Sequence, residues 1–519
     1  MIRQELIDKL QHLSESQWDV IIIGGGATGS GIALDAVTRG YKTLLLEQSD
    51  FAKGTSSRST KLVHGGVRYM AQGDILLVME ALRERGRILK NAPHLTADQE
   101  FIIPIYNWFD AMIYTVGLKF YDLLAGKRSM GNSYFIKRSK ILKRLPNIKK
   151  EGLKGGVVYH DGQFDDSRMA ISLVGTCIEK GGVALNYFKV YDLIKNENGK
   201  IGGVKAIDLI SGIKYEPESK LVINATGVFA DDMLRLDNPG SNHIIRPSQG
   251  VHIVLNSNFL QSTSAIMIPR TDDGRVLFAI PWYGKVVVGT TDTPLDKISL
   301  DPVPLEEEMT FILKTAEKYL IKPPKREDIL SVFAGLRPLA SDPENPQSTK
   351  EISRRHKIIM SKSDLLTITG GKWTTYRQMA EETLDKAIKA GILQKGKCVT
   401  KNLKLNSVPE TVSSKHLKIY GAQAIEIDKI IAADPGLGVP LNTVFPYSKA
   451  EIIWICRNEM PVTLEDMLAR RTRALFLDAQ VSSEIAPVIA GIMAKEMGYD
   501  EKWQMEQIEK YNKLVVNYL

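Results

Sequence analysis

The sequence predicts an α/β fold followed by a C-terminal helical domain, and three observations support this prediction. Continuous apolar runs at 20–23 and 43–46 flank a glycine-rich turn and a small-residue helix, as expected for a buried parallel sheet. Alternating strand patterns recur between residues 245 and 295. From about residue 400, amphipathic helical patterns such as AEIIWICRNEM and PVIAGIMAKEM replace the strands.

The first element, DVIIIGGGATGSGIALDAVTRGYKTLLLEQ (19–48), indicates a Rossmann-like dinucleotide site. Gly24 permits a sharp turn, Gly26 lets the backbone approach a pyrophosphate, and Gly29 lets the helix pack close to its strand. The phosphates would face the N–H groups at the helix N-terminus. Glu47 can accept hydrogen bonds from the ribose hydroxyls and disfavours NADP. This stretch alone leaves NAD and FAD open.

The next stretch, TSSRSTKLVHGGVRYM (55–70), favours a flavin. Its hydroxyls, lysine and exposed amides suit the pyrimidine edge of an isoalloxazine, which consists of hydrogen-bond donors and acceptors. A solvated serine-rich loop is the alternative interpretation. The sequence has no second GxGxxG after an apolar strand, which favours one resident dinucleotide over a flavin reduced by NAD(P)H.

At this point the chain resembles a known family, the FAD-dependent glycerol-3-phosphate dehydrogenases, within the wider class of D-amino-acid and glycine oxidases. The resemblance rests on segments spread over nearly the whole chain: GGGATGSGIALDA, TSSRSTKLVHGGVRYM, NATGVFADD (224–232), FAIPWYGKVVVGTTDTP (278–294), FAGLRPL (333–339), ISRRH (352–356), TGGKWTTYR (369–377) and VTLEDMLARRTRALFL (462–477).

The resemblance implies a Rossmann-like FAD-binding domain with an inserted α+β substrate domain and a C-terminal helical domain. The oxidoreductase region would cover 1–399 and the helical domain 400–519. Within the first region, the FAD-binding parts are expected near 19–75, 155–235 and 365–390. The substrate-domain parts are expected near 76–154 and 236–364.

The resemblance also implies the residues that hold FAD. They come from the first glycine turn, the 55–66 stretch, the turn after the strand at 221–223, and the TGGKWTT stretch. They are Gly24, Gly26, Ala27, Thr28, Gly29, Glu47, Thr55, Ser57, Ser59, Thr60, Lys61, Leu62, His64, Gly65, Gly66, Ala225, Thr226, Gly227, Gly371, Lys372, Trp373 and Thr374.

The expected reaction is oxidation of glycerol 3-phosphate to dihydroxyacetone phosphate. By resemblance, Arg337 and Arg354 bind the phosphate, as suits the planar fork of arginine, and Arg355 is an adjacent competitor for the second position. Arg68, Tyr69 and Lys372 would line the reaction centre.

The catalytic base stays open between His64 and His252, because histidine has a pKa near the operating pH. A structural histidine is the alternative for each. Nearby cations could also stabilise the alkoxide and make a strong base unnecessary. A helix following Gly370 and Gly371 is expected to point its positive end at the flavin.

Charge and cysteine content give expectations about location. The formal net charge is +8, and residues 119–150 hold ten Lys/Arg against one acid. Because aromatic and aliphatic residues are interleaved with the charges, this window suits contact with an anionic membrane surface. The alternatives are a solvated basic face and a nucleic-acid patch. Three scattered cysteines indicate neither disulfides nor a metal site and favour a reducing compartment.

The sequence shows neither a signal peptide nor a transmembrane span, so we expect a cytoplasmic protein held peripherally at the inner face of the cell membrane. The family implies a membrane quinone as electron acceptor. An oxidase that uses O2 and releases hydrogen peroxide is the alternative, although the inserted segment expected of such oxidases is not seen. A nucleic-acid partner is not expected. Covalent attachment of FAD stays open, as does the oligomeric state, with a homodimer as one expectation.

Overall fold

The structure is a computed structural model that describes residues 2–13, 17–71, 73–271, 274–340, 355–405 and 414–519. The strands are β1 (Trp18–Ile23), β2 (Thr43–Leu46), β3 (Leu62–Val63), β4 (Thr96–Ile105), β5 (Tyr134–Lys137), β6 (Gly155–Phe164), β7 (Val183–Leu185), β8 (Phe188–Lys195), β9 (Ile201–Asp208), β10 (Lys214–Tyr215), β11 (Ser219–Asn224), β12 (Ile245–Asn256), β13 (Ala265–Ile268), β14 (Leu277–Trp282), β15 (Lys285–Gly289), β16 (Thr293–Pro294), β17 (Ile329–Ala340), β18 (Lys357–Met360) and β19 (Leu366–Thr369).

The α-helices follow the same order along the chain. They are α1 (Ile2–Leu13), α2 (Ala27–Thr38), α3 (Val67–Ala71), α4 (Ile75–Asn91), α5 (Trp108–Ala125), α6 (Arg138–Arg144), α7 (Asp166–Glu179), α8 (Ala230–Asp237), α9 (Glu306–Tyr319), α10 (Tyr376–Lys389), α11 (Ala424–Ala433), α12 (Lys449–Asn458), α13 (Ala474–Leu477), α14 (Ala479–Met497) and α15 (Glu501–Val515).

The first sheet is built from segments that are far apart in the chain. Its order is β18-β19-β11-β1-β2-β7, and all its pairs are parallel except β18 with β19. The inner strands read as continuous apolar runs because both faces of this sheet are covered. All three predicted FAD-binding parts contribute strands to it. The exact domain boundaries stay a prediction.

The second sheet provides the surface on which a substrate domain is expected. Its main path is β16-β12-β15-β14-β13-β4-β6-β3, with β17 also pairing with β12 and β5 with β6. The antiparallel register of β12 and β17 sets Ser248 opposite Arg337 and His252 opposite Phe333. β3 begins at Leu62, so the chain enters this sheet directly from the 55–61 stretch.

The region after residue 414 is helical, and the predicted fold class is confirmed. Its apolar core includes residues of α12 and α14 together with Phe333 of β17. It is also joined to α7 by a buried ion pair in which both Arg168 guanidinium Nη atoms donate to Glu459, at 2.6 and 2.7 Å.

In the part of the chain that the structure describes, no helix is both long enough and apolar enough to cross a bilayer.

Candidate active site

The turn between β1 and α2 brings a helix N-terminus to the end of the first sheet. Gly24 has φ +108°, and a Cβ here would lie 2.6 Å from the carbonyl oxygen of Ala225. A Cβ on Gly29 would lie 1.8 Å from the carbonyl oxygen of Gly24. The structure therefore has the sharp turn and the close helix packing that these glycines predict.

The start of α2 is oriented by a residue that the sequence did not reveal. The N–H of Ala27 donates to Ser56 Oγ at 2.8 Å, with Gly26 as the N-cap. In the run TSSRST nothing distinguishes Ser56 from the neighbouring hydroxyls, so its contact was missed. It joins the glycine turn to the second predicted motif.

Glu47 lies directly after β2, at the mouth of the same turn. Its Oε2 accepts the N–H of Gly25 at 2.6 Å, and its Oε1 accepts the N–H of Ser49 at 2.9 Å. Burial raises the pKa of the carboxyl, although the two backbone hydrogen bonds act in the opposite direction. The side chain is thereby fixed with lone pairs left for a ligand hydroxyl.

A large cavity of about 730 Å³ opens at this turn. Its volume lies in the range of about 300–1,000 Å³ typical of ligand and cofactor sites. The predicted cofactor residues that line it are Gly24, Gly26, Ala27, Thr28, Glu47, Thr55, Ala225, Thr226, Gly227, Gly371, Lys372 and Trp373. Segments from all three FAD-binding parts thus meet around one cavity.

Two smaller cavities continue from the large one. A middle cavity of about 210 Å³ shares Thr55, Lys372 and Trp373 with the large cavity. A far cavity of about 170 Å³ shares His64 and Arg337 with the middle one. The shared walls make these cavities one continuous site that runs from the first sheet to the second.

Some residues of the 55–62 stretch line the site, whereas others are buried in the protein interior. Thr55, Ser59, Thr60 and Leu62 line the middle cavity. Ser57 and Lys61 were predicted to contact the cofactor, but Ser57 is buried and lines none of the three cavities, and the fully buried Lys61 Nζ donates to Asp166 Oδ2 at 2.7 Å. The Lys61 ammonium is thus held by a buried carboxylate, and the cofactor contact predicted for Lys61 stays a prediction.

His64, Tyr69 and Lys372 come together where the smaller cavities meet. The Lys372 Nζ lies 3.7 Å from the centroid of the Tyr69 ring. His64 lines both smaller cavities, and its backbone N–H donates to Thr374 Oγ1 at 3.2 Å. Gly66 has φ +84°, and a Cβ there would be 2.4 Å from the Tyr69 ring. His64 thus lines the far cavity together with Tyr69 and the middle cavity together with Lys372.

Gly65 faces the protein rather than the three cavities. Its N–H donates to the buried Tyr121 hydroxyl at 2.8 Å, and that hydroxyl donates to Asp161 Oδ2 at 2.7 Å. A Cβ on Gly65 would meet Tyr121 and Leu82 at 2.4 and 2.6 Å. The glycine is needed for this packing, so the cofactor approach expected of it is not seen.

His252 lies on β12 at the wall of the middle cavity. Its ring stacks on Phe333 with centroids 4.9 Å apart, and its Nε2 is 2.9 Å from Thr60 Oγ1. Burial lowers the pKa of the imidazole well below its ordinary value, and the charges of Lys61 and Arg337 lower it further. His252 is therefore neutral at neutral pH.

Arg337, predicted to bind the phosphate, lies on β17 and lines both smaller cavities. Its guanidinium donates to Asp292 Oδ1 at 3.1 Å and to the Thr291 carbonyl at 2.9 Å. The guanidinium also donates to the Gln249 carbonyl and to Thr290 Oγ1. The side chain is 21% exposed, so part of it remains at the wall of the two smaller cavities.

The other predicted cations are placed as follows. Arg354 lies outside the described residues. Arg355, its competitor, lies at the surface and pairs with Asp74 at 3.2 Å. Arg68 belongs to α3, and its side chain lies outside the described part of the structure.

The helix expected after Gly370 and Gly371 begins later than predicted. Both glycines have positive φ, at +76° and +79°, and a 3-10 turn over Trp373–Thr375 precedes α10. The Trp373 Nε1 donates to the Ser56 carbonyl at 2.9 Å. The 3-10 turn, rather than the α-helix, therefore faces the site.

Comparison with known proteins fits this geometry. A family model described as FAD dependent oxidoreductase matches residues 19–377, and one described as the C-terminal domain of alpha-glycerophosphate oxidase matches residues 361–504. The mitochondrial glycerol-3-phosphate dehydrogenase of Bos taurus is 40% identical over 535 residues, which cover 96% of this chain and 73% of that protein. The chain belongs to the FAD-dependent glycerol-3-phosphate dehydrogenase family.

Two solved structures share the fold of this chain. The glycerol-3-phosphate dehydrogenase from Bacillus halodurans complexed with FAD is 29% identical, with a TM-score of 0.77 over 100% of this chain and 98% of that one. The L-alpha-glycerophosphate oxidase from Mycoplasma pneumoniae shares the fold, with 18% identity and a TM-score of 0.58 over 76% of this chain and 100% of that one.

The cofactor of the family is FAD, and the residues present fit it. The large cavity offers a glycine-lined approach to a helix N-terminus, which suits a pyrophosphate. Glu47 suits a ribose, and Thr55, Ser59 and Thr60 supply polar groups toward the middle cavity. The dinucleotide would therefore extend from the glycine turn toward His64 and Lys372.

We predict that Gly29→Ala abolishes FAD binding. The added methyl would force α2 away from the Gly24 carbonyl oxygen and distort the turn. The measurement is the ratio of visible flavin absorbance to protein absorbance after purification. Gly175→Ala in α7 is the control, because its Cβ would meet no atom within 4 Å and alanine favours a helix. Equal flavin content in both variants would contradict the assigned turn.

Proposed function

We propose that the protein oxidises sn-glycerol 3-phosphate to dihydroxyacetone phosphate and passes the electrons to a membrane quinone. The observation that carries this proposal is the continuous site, in which the dinucleotide cavity opens onto His64, Lys372 and Arg337. When bound, FAD supplies the hydride acceptor. The substrate would occupy the far cavity, with its phosphate toward Arg337.

Arg337 is suited to a phosphate because its orientation is set before the substrate arrives. Four protein acceptors hold the guanidinium: Gln249 of β12, and Thr290, Thr291 and Asp292 in the connection between β15 and β16. Asp292 also accepts a hydrogen bond from Ser248, which fixes the carboxylate in turn. Because the guanidinium is already held in place, its positive charge can attract a phosphate dianion in the far cavity with little further loss of side-chain entropy.

His64 is the better-supported base for the C2 hydroxyl. It lines both smaller cavities, whereas the His252 Nε2 is engaged with Thr60 Oγ1 in a buried stack. A base must reach the proton that it removes, so position decides before pKa. We assign His252 the role of orienting Thr60.

Lys372 and Tyr69 complete the reaction centre in this proposal. The Lys372 ammonium, held over the Tyr69 ring, places positive charge beside the space next to His64. Such a fixed charge stabilises the alkoxide that develops as the hydroxyl loses its proton.

The surface of α5 supports contact with a membrane. Most of one face of this helix is apolar and exposed: Trp108, Phe109, Met112, Ile113, Val116, Phe120 and Leu123 are between 40% and 73% exposed. Ile75, Leu76 and Met79 of α4, a helix that contacts α5, are 39–70% exposed. We call these side chains the α5 surface. Apolar patches of this kind indicate an interaction site.

Basic residues follow the α5 surface in the chain. Exposed Lys or Arg side chains occur at 119, 127, 128, 137, 138, 140, 143 and 150. Arg144 differs, since it pairs with Glu100 at 3.0 Å and donates to the Tyr134 hydroxyl. An apolar helix face with adjacent cations suits an anionic bilayer, with the apolar side chains in the acyl boundary and the cations at the headgroups. We therefore propose peripheral binding at the cytoplasmic face of the cell membrane, where quinone is available.

We predict that Arg337→Ala raises the KM for glycerol 3-phosphate at least about tenfold, since a charged hydrogen-bond partner is lost. FAD content should be unchanged, because Arg337 lines only the smaller cavities. The assay uses a soluble quinone analogue as acceptor without oxygen, and Arg457→Ala, at an exposed helix position, is the control.

An unchanged KM in Arg337→Ala would refute the phosphate role. The same assay in air tests the acceptor. Peroxide release that matches substrate consumption, together with no turnover on the quinone analogue, would favour the oxidase and contradict the quinone proposal.

We predict that Val116→Glu prevents sedimentation with vesicles containing anionic lipid, because it puts a charge in the centre of the α5 surface. Met505→Glu on α15 is the matched control, since the two side chains are 64% and 65% exposed. Retained binding of Val116→Glu would contradict the bilayer proposal. Dissociation of a dimer by Val116→Glu, without loss of vesicle binding, would assign the surface to a second copy of the chain.

A further inference from the structure

One buried carboxylate, Asp166, accepts several hydrogen bonds from the stretch at 55–61. Its Oδ2 accepts the Ser59 N–H at 3.0 Å, the Ser59 hydroxyl at 2.7 Å and the Lys61 ammonium at 2.7 Å. The same stretch lines the FAD site through Thr55 and Thr60. The position of this wall therefore depends on Asp166.

The other side of Asp166 is held from the C-terminal helical region. Arg473 Nη2 donates to Asp166 Oδ1 at 3.0 Å and to the Ser57 carbonyl at 2.9 Å. Lys61 Nζ donates to the same carbonyl at 2.7 Å. Arg473 thus contacts both the carboxylate and the stretch that the carboxylate holds.

The surroundings make these contacts strong and exclusive. The side chains of Lys61, Asp166 and Arg473 are each at most 1% exposed. The rings of Trp282, Phe333 and Phe476 enclose the ammonium of Lys61, with centroids 5.0–5.4 Å away. Water cannot replace a lost partner in such an apolar enclosure, so removal of one charge leaves another uncompensated.

The location of Asp166 adds to its effect. It is the first residue of α7, where backbone N–H groups favour a negative charge, and the Ser167 N–H donates to its Oδ1 at 2.9 Å. Burial alone would raise the pKa of this carboxyl, but the charges of Lys61 and Arg473 outweigh burial and lower it. Asp166 therefore stays ionised.

We propose that Asp166 and Arg473 are positioning residues for FAD. They hold the 55–61 stretch in the conformation that the cofactor needs. In the described chain, the linings of the three cavities come from residues 23–379, so the helical region acts on the site only through such contacts. The inference concerns FAD binding and is independent of the substrate and the electron acceptor.

The test compares the FAD affinity of Arg473→Lys and Asp166→Asn with that of the original protein. Lysine keeps the charge but cannot bridge Asp166 and the Ser57 carbonyl with a planar fork. Loss of these charged hydrogen bonds should raise the FAD dissociation constant about 10-fold to 100-fold. The dissociation constant is measured from the increase in FAD fluorescence as the cofactor dissociates when the holoprotein is diluted. In both variants the visible absorption spectrum of the bound flavin should also change shape.

Arg168→Lys is the matched control, because it also lies on α7 and also pairs with the C-terminal region, through Glu459. It should lower the thermal midpoint but leave the FAD dissociation constant within about threefold. If all three variants have a similarly lowered thermal midpoint and all three keep the FAD affinity of the original protein, the proposal is overturned. If Arg473→Lys and Asp166→Asn fail to fold, Lys61→Met removes one donor to Asp166 at a residue that lines none of the three cavities, and an unchanged FAD affinity in that variant would overturn the proposal as well.

Discussion

The contact between Gly29 and the carbonyl oxygen of Gly24 is the constraint on which the rest of the site depends. Only a residue without Cβ lets α2 lie so close to β1 that its N-terminus opens at the end of the sheet. Once the helix is there, Ser56 can accept the Ala27 N–H and bring the second motif alongside. Trp373 then reaches the Ser56 carbonyl from the third segment. Each later contact needs the earlier one.

Carboxylates hold other groups in place at three further points around the site. Asp292 holds Arg337 on the second sheet, and Asp166 holds the 55–61 stretch from beneath. Asp161 accepts a hydrogen bond from the Tyr121 hydroxyl, and this hydroxyl accepts one from the Gly65 N–H. Such carboxylates fix donors and cations before any ligand arrives, so little reorganisation is needed during the reaction.

The parts of the fold that follow from local pattern could be predicted from sequence. The strands of the first sheet are continuous apolar runs, and the glycine turn has a spacing that only close packing explains. The direction of an individual side chain was not predictable. Lys61 and Gly65 lie in the expected motif, yet they face Asp166 and Tyr121, because residues far along the chain supply their partners.

The α5 surface shows the same limit. The basic window after residue 119 was visible as a charge count, but the exposed apolar face lies mainly before it, on α5. An apolar run in a sequence does not say whether it is covered, since that depends on which elements pack over it. The exposure of Val116, beside the buried Leu118 on the same helix, appears only once α5 is packed.

The most direct test of the account is anaerobic addition of glycerol 3-phosphate to the purified holoprotein while the visible absorbance of the oxidised flavin is followed. The account predicts that glycerol 3-phosphate bleaches the flavin and that glycerol at the same concentration does not, because the site selects the phosphate. No bleaching by glycerol 3-phosphate, or equal bleaching by both alcohols, would contradict it.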